Sequence, residues 1–191
     1  MRIEQTSLVD CFIVHEKIHG DVRGYFVETF NQRDFNSSTG LDILFVQDNQ
    51  SRSTKGVLRG LHMQSGTAAQ AKLVRVIEGA VLDVAVDLRK DSPSFGRHIT
   101  IELTSDNHKQ LFIPAGFAHG FVVLSDAATF FYKVDKFYEP GNEVGIIYND
   151  HTLNIDWKLS GNEIILSEKD KALGSFKEKT PYEVLKCKLN I

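Results

Sequence analysis

The chain has 191 residues, is 42% hydrophobic and carries a formal net charge of -3. That size and apolar content suffice to bury a substantial core, and they predict one domain over residues 1-191, with a main body at about 5-175 and a C-terminal extension at about 176-191. The slight negative charge excludes a general attraction to nucleic acid or to an anionic membrane, so an anionic ligand requires a local cluster of arginine and lysine.

Two cysteines, Cys11 and Cys187, are too few for a disulfide framework, and no C-x-x-C pair suggests zinc or a dithiol redox site. The polar opening from Met1 to Ser7 is followed by no apolar signal-peptide core, and no stretch approaches the roughly 20 apolar residues of a membrane span. These features predict a protein of a reducing compartment, the cytoplasm.

In chain order, runs rich in Val, Ile, Phe and Leu fall at residues 10-15, 25-31, 43-50, 57-64, 72-78, 80-88, 97-103, 109-114, 119-125 and 128-138. Short runs at such intervals predict an all-β sandwich or barrel. Turn chemistry separates them at Ser37-Ser38-Thr39-Gly40, Ser65-Gly66-Thr67, Lys90-Asp91-Ser92-Pro93-Ser94 and Glu139-Pro140-Gly141-Asn142. Glu78-Gly79 is the tightest hairpin candidate. Helical signals are confined to Asn31-Phe35 and to Ser167-Glu168-Lys169-Asp170, which has the form of a helix start.

Several proton-handling side chains interrupt these apolar runs. His62 stands between Arg59 and Gln64 in Gly56-Val57-Leu58-Arg59-Gly60-Leu61-His62-Met63-Gln64, and Lys72, His119 and Tyr132 follow at strand-like intervals. Strict alternation places Leu58, Gly60, His62 and Gln64 on one face and Arg59 and Leu61 on the other. A bulge at Gly60 re-aims them; otherwise Arg59 reaches a pocket from its rim or from a neighbouring subunit. The same rule groups Gln47 with Asn49, Lys72 with Val74 and Val76, and Phe130 with Tyr132 and Val134. A barrel lined by such groups is a scaffold for proton transfer.

Each residue alone has a plainer role. A histidine on a strand is more often structural, most lysines are solvated, Tyr132 beside Phe130 and Phe131 suits an aromatic core, and His119 suits a turn. A metal site is disfavoured. Pro114-x-Gly116-x-x-His119 is similar to the second histidine motif of metal-binding cupins, but Gln64 stands where the first motif needs its second histidine. His15, His19, His98, His108 and His151 form no close pair that repairs it.

Longer motifs carry a resemblance. Asp21-x-Arg23-Gly24-Tyr25-Phe26-x-Glu28, Phe45-Val46-Gln47-Asp48-Asn49-Gln50-Ser51, Gly56 to His62, Lys72-Leu73-Val74, Asp83 to Arg89, Ser92-Pro93-Ser94-Phe95-Gly96, Ile113 to Phe121 and Tyr148-Asn149-Asp150 occur in one order over about residues 5-175. Together they resemble the dTDP-4-dehydrorhamnose 3,5-epimerase family. The resemblance implies a cupin-type jelly-roll β-barrel, a homodimer, no metal or organic cofactor, and a dTDP-linked 4-keto-6-deoxy sugar as substrate. The expected reaction inverts C3 and C5. Inversion at C3 alone, and a cupin that binds the nucleotide sugar without turning it over, are the rival readings.

The resemblance also implies roles. His62 matches the base that removes a proton next to the C4 ketone, Asp170 its carboxylate partner, Tyr132 the general acid on the opposite face, and Lys72 the cation beside the developing enolate. Asp83 either orients Lys72 or is a structural carboxylate. Arg23, Glu28, Gln47, Asn49, Arg59, His119, Glu143 and Lys169 match substrate-holding positions, and Tyr138 matches the aromatic residue that stacks on the nucleotide base. Tyr148 replaces a common tryptophan, His151 and Lys158 stand where proline is frequent, and Phe137 precedes Tyr138 where a second tyrosine also occurs. The lysine-rich end from Lys177 to Lys188 lies outside the resemblance.

Overall fold

A computed structural model describes residues 1-176. In chain order these form β1 (Arg2–Gln5), β2 (Phe12–His15), β3 (Ile18–Asp21), β4 (Gly24–Val27), α1 (Gln32–Thr39), β5 (Gln47–Thr54), β6 (Leu58–Gln64), β7 (Lys72–Glu78), β8 (Ala80–Asp87), β9 (His98–Thr104), β10 (Lys109–Ile113), β11 (Phe117–Val123), β12 (Ala127–Val134), β13 (Glu143–Gly145) and α2 (Glu168–Lys171). One sheet has the order β1-β2-β10-β7-β12-β5 and a second has the order β13-β6-β11-β8-β9. Among the described residues, β3 and β4 pair only with each other. The result is the expected all-β jelly roll of cupin type.

The alternation rule explains how the sheets face each other. Val74, Val76, Leu111, Ile113 and Phe130 of the first sheet meet Val81, Ala85, Leu103, Phe117, Phe121 and Val123 of the second in one buried core. The opposite face of the second sheet is buried too. Leu58, Leu61, Leu82, Val84, Val86, Ala118 and Val122 pack there against Ile146, Leu153 and Trp157 from the chain after β13. This double burial accounts for the apolar residues on both faces of β8, whose run is broken by Asp83 and Asp87. On the outside of the first sheet, Phe35 of α1 closes a cluster with Phe12, Val14, Leu73 and Phe112.

Both helix signals hold. Asn31 caps α1 by accepting from Asp34 N at 3.2 Å, and Gly40 ends it in the left-handed region at φ 72. Ser37-Ser38-Thr39, read as a turn, is instead the last turn of this helix. Ser167 caps α2 by accepting from Asp170 N at 3.1 Å.

The hairpin reading of Glu78-Gly79 is corrected. β7 ends at Glu78 and β8 begins at Ala80, but the two strands belong to different sheets. Gly79 is a corner at φ 82, where a Cβ would lie 2.1 Å from the Ala127 carbonyl oxygen. A turn residue between two apolar runs looks the same in sequence whether the runs pair or part. The run at 43-50 becomes a strand only from Gln47, because Ile43 and Phe45 are drawn into the cluster beneath α1. β1, β3 and β13 had no sequence signal: β3 is exposed at all four residues, so no buried face imprints a pattern on it.

Candidate active site

The site begins with an irregularity in β6. His62 lies opposite His119 of β11, whereas Arg59 lies opposite Phe121, so three steps along β6 match two along β11. The extra residue is a bulge. It turns Arg59 and His62 toward the same cavity, while Leu58, Leu61 and Met63 pack into the outer core. Strict alternation, which separated Arg59 from His62, is therefore overturned, and the bulge at Gly60 is what re-aims them. Gly60 makes the bulge possible: its φ is 129, and a Cβ there would lie 2.5 Å from Gly120 Cα.

The cavity has a volume of about 660 Å³ and opens between the two sheets beside α2. A smaller extension runs toward Gln47 and Tyr138 and shares His62, Lys72 and Tyr132 with it. His62 Nε2 and Asp170 Oδ1 are 2.5 Å apart, the carboxylate being buried and the imidazole partly open to the cavity. Burial pulls the His62 pKa below its ordinary value, outweighing the opposing pull of Asp170 and Glu143. The resting imidazole is thus neutral at neutral pH, and with its Nε2 proton held by Asp170 its other nitrogen is the proton acceptor.

Across the cavity, on the other sheet, stands Tyr132 of β12. Burial, aided by Glu143, raises its phenol pKa further above the usual 10.0, so it remains a proton donor. Lys72 of the neighbouring β7 shares the inward face with Val74 and Val76, as alternation required. Desolvation lowers its pKa to about 8, against the fields of Asp83 and Glu143. His119 Nε2 is 2.8 Å from Asp83 Oδ1, and both side chains are buried.

Polar groups line the walls and rim. Gln47, Asn49, Ser51 and Ser53 alternate inward along β5, with Asn49 opposite Tyr132. Gln47 Nε2 donates to Asn49 Oδ1 at 2.9 Å. Arg59 Nε donates to Ser53 Oγ at 3.1 Å, leaving its terminal nitrogens toward the cavity. At the rim, Tyr138 donates its hydroxyl proton to Glu143 Oε2 at 2.8 Å, and Lys169 forms an ion pair with the same carboxylate. Burial opposes the ionisation of Glu143, but these two contacts hold its pKa below the ordinary range.

His62, Lys72, Tyr132, Asp170, Asn49, Arg59, His119, Glu143 and Lys169 thus line the main cavity, and Gln47 and Tyr138 its extension. Arg23 and Glu28 line neither. They belong to the exposed β3–β4 arm, where Arg23 pairs with Asp21. The sequence reading did not single out Ser51, Phe121, Phe130, Ile165, Leu166 or Ser167, which also line the cavity. Their inward positions on β5, β11 and β12 follow from alternation once one residue of each strand is placed; the 165-167 segment carries no such signal. Among the described residues, no group of three His, Cys, Asp or Glu is placed to hold a metal ion. Gln64, which replaces the metal-cupin histidine, accepts from Glu139 N at 3.0 Å.

The family model of dTDP-4-dehydrorhamnose 3,5-epimerase matches residues 5–178. The dTDP-4-dehydrorhamnose 3,5-epimerase of Escherichia coli strain K12 is 49% identical over 178 residues, 93% of this chain and 96% of that protein. The crystal structure of the enzyme of that name from Elizabethkingia anophelis NUHP1 superposes with a TM-score of 0.91 at 51% identity, covering 94% of this chain and 98% of that one. A Legionella pneumophila Philadelphia 1 structure, described as dTDP-6-deoxy-D-glucose-3,5-epimerase in complex with dTDP-4-keto-L-rhamnose, has a TM-score of 0.88 at 47% identity, covering 91% and 92%. The identity, the length of the match and the shared fold agree: the chain belongs to the dTDP-4-dehydrorhamnose 3,5-epimerase family and is an isomerase of the epimerase type.

Proposed function

We propose that the cavity inverts C3 and C5 of dTDP-4-dehydro-6-deoxy-D-glucose to give dTDP-4-dehydro-L-rhamnose, with His62 as base and Tyr132 as acid. One observation carries the assignment. A neutral imidazole anchored to Asp170 on one sheet faces a protonated phenol on the opposite sheet, with the Lys72 ammonium beside the phenol.

The chemistry follows from that layout. A proton on carbon next to a ketone is removable when the resulting enolate is stabilised where its charge develops. His62 takes the proton, and Asp170 stabilises the imidazolium that forms. The C4 oxygen gains negative charge facing Lys72, a cation whose effect is strengthened by its dry surroundings. Tyr132 then returns a proton from the other face, which inverts the centre, and the same pair serves both carbons flanking the ketone. Arg59 suits the diphosphate, because its free guanidinium nitrogens present a fork to paired oxygens. Tyr138 at the rim, with Gln47, Asn49, Glu143 and Lys169, holds the nucleotide and sugar.

A homodimer is part of the proposal. On the β3–β4 arm Ile18, Val22, Tyr25 and Phe26 are exposed, and the arm joins neither sheet. Such apolar exposure on a projecting hairpin marks an interaction surface. Arg23 and Glu28 belong to this arm, so a partner's arm laid over the cavity mouth supplies them in trans. A cytoplasmic location fits the buried Cys11, which forms no disulfide among the described residues.

The test is proton NMR of the 4-keto sugar nucleotide with the protein in deuterium oxide. Exchange of both the C3 and C5 hydrogens, abolished by His62→Asn, is expected. Exchange at C3 alone would replace the double epimerase by a single one, and binding without exchange would leave a nucleotide-sugar binder.

A further inference from the structure

Asp83 lies on β8, fully buried, on the inward face that also carries Val81 and Ala85. Its Oδ1 accepts from His119 Nε2 at 2.8 Å, while its Oδ2 is buried without a hydrogen-bond partner among the described residues. A buried carboxylate oxygen left unpaired is costly unless a positive charge lies within its field. Lys72, on the facing sheet, supplies that charge: of the groups around it, Asp83 favours the ammonium most strongly, ahead of Glu143. Glu143 is already engaged by Lys169 and Tyr138, whereas Lys72 makes no direct ion pair among the described residues.

We propose that Asp83 is a positioning residue for the epimerisation: from the barrel interior it fixes His119 through one oxygen and, through the field of the other, keeps the Lys72 ammonium charged and directed at the oxygen where enolate charge develops. This rests on the functional reading given above. The dry wall that makes a cation effective against an enolate also drives it toward neutrality, so Lys72 titrates at about 8 instead of 10.5. A carboxylate set behind the lysine offsets that loss without occupying the front, where the substrate sits. Among the described residues, the other titratable groups around Lys72 are Glu143 from β13, His62 and Arg59 from β6, His119 from β11 and Tyr132 from β12, with Lys169 and Asp170 on α2 and Tyr138 in the extension. Of the two carboxylates whose fields favour the ammonium, Asp83 is the fully buried one.

Asp83→Asn removes the charge and keeps the shape and an acceptor for His119. The first experiment needs no substrate: NMR titration of the Lys72 side chain in lysine-labelled wild type and variant. Lys72 titrating near 8 in the wild type and at least about one unit lower in Asp83→Asn is expected; an unchanged value overturns the proposal. The alkaline limb of kcat/KM moves down by the same amount, so at pH 8 the charged fraction falls about fivefold. A rate loss equal at every pH, with the limb in place, means a structural role and overturns it.

Should Asp83→Asn fold poorly, Lys72→Met and the double variant Lys72→Met/Asp83→Asn are compared by thermal unfolding. Asp83→Asn costing little stability once the lysine is gone supports the pairing. Equal loss in both backgrounds refutes it. Absence of turnover by the wild type on the 4-keto sugar would sink the functional reading while leaving the Lys72 titration to stand or fall separately.

Discussion

His62 and Asp170 are 108 residues apart in the chain, yet imidazole Nε2 and carboxylate Oδ1 meet at 2.5 Å. Two local devices bring them together: the β6 bulge, which turns His62 inward, and the Ser167 cap, which fixes the first turn of α2 and with it Asp170. A carboxylate at this position sets the imidazole tautomer. Asp170→Asn therefore lowers kcat by about 10²–10⁴-fold, measured by steady-state turnover, with little change in substrate affinity.

The pH profile that the proposed mechanism requires follows from the same groups. His62 must be neutral, and burial holds its pKa below 6.5, so kcat/KM falls with decreasing pH only below that value. Lys72 must be charged, so activity falls as pH rises through about 8. A bell with an acid limb below 6.5 and an alkaline limb near 8 is expected. In Asp170→Asn the acid limb moves lower still, because Asp170 is one of the groups that raises the His62 pKa. An acid limb shifted upward would contradict this account of the pair.

Tyr132→Phe separates the two proton transfers. The phenol stays protonated through neutral pH, so its loss removes the acid and leaves the base in place. Inversion falls by about 10²-fold or more, while exchange of the abstracted proton through His62 survives at a reduced rate. Parallel measurement of epimer formation and deuterium incorporation distinguishes this from a collapsed site, which would lose both.

Gly60→Ala tests the bulge. Its Cβ would meet Gly120 Cα at 2.5 Å and the His119 carbonyl oxygen at 2.8 Å, both backbone, at a φ of 129 that disfavours any side chain. A loss of about 3 kcal/mol or more in urea unfolding is expected, together with loss of activity as Arg59 and His62 part. Gly40→Ala, where the space is open at φ 72, is the control; it costs about 1 kcal/mol and leaves turnover intact.

For assembly, the proposed homodimer predicts that the wild type sediments as a dimer. Tyr25→Ser/Phe26→Ser removes apolar surface from the arm and shifts sedimentation toward the monomer. Arg23→Ala is expected to stay dimeric and to bind dTDP more weakly. A monomeric wild type would remove the arm from the site and leave Arg23 and Glu28 as surface residues.

The sequence by itself determined most of the jelly roll's strands and most of the polar residues that line its cavity. Repeated apolar runs encode β7, β8, β10 and β12 within a few residues, and the polar exceptions Lys72 and Tyr132 lie on the inward faces that alternation assigns them. Capping chemistry is equally local, so Asn31 and Ser167 announced both helices. What depends on distant contacts was not written locally. Whether Glu78-Gly79 is a hairpin or a corner is decided by which sheet each strand joins, and whether Arg59 and His62 share a face is decided by a bulge that the close approach of Gly60 and Gly120 permits. The partner of Asp83 was likewise settled by the tertiary structure, since a buried carboxylate takes whichever donor the opposing backbones deliver, and here that donor is His119.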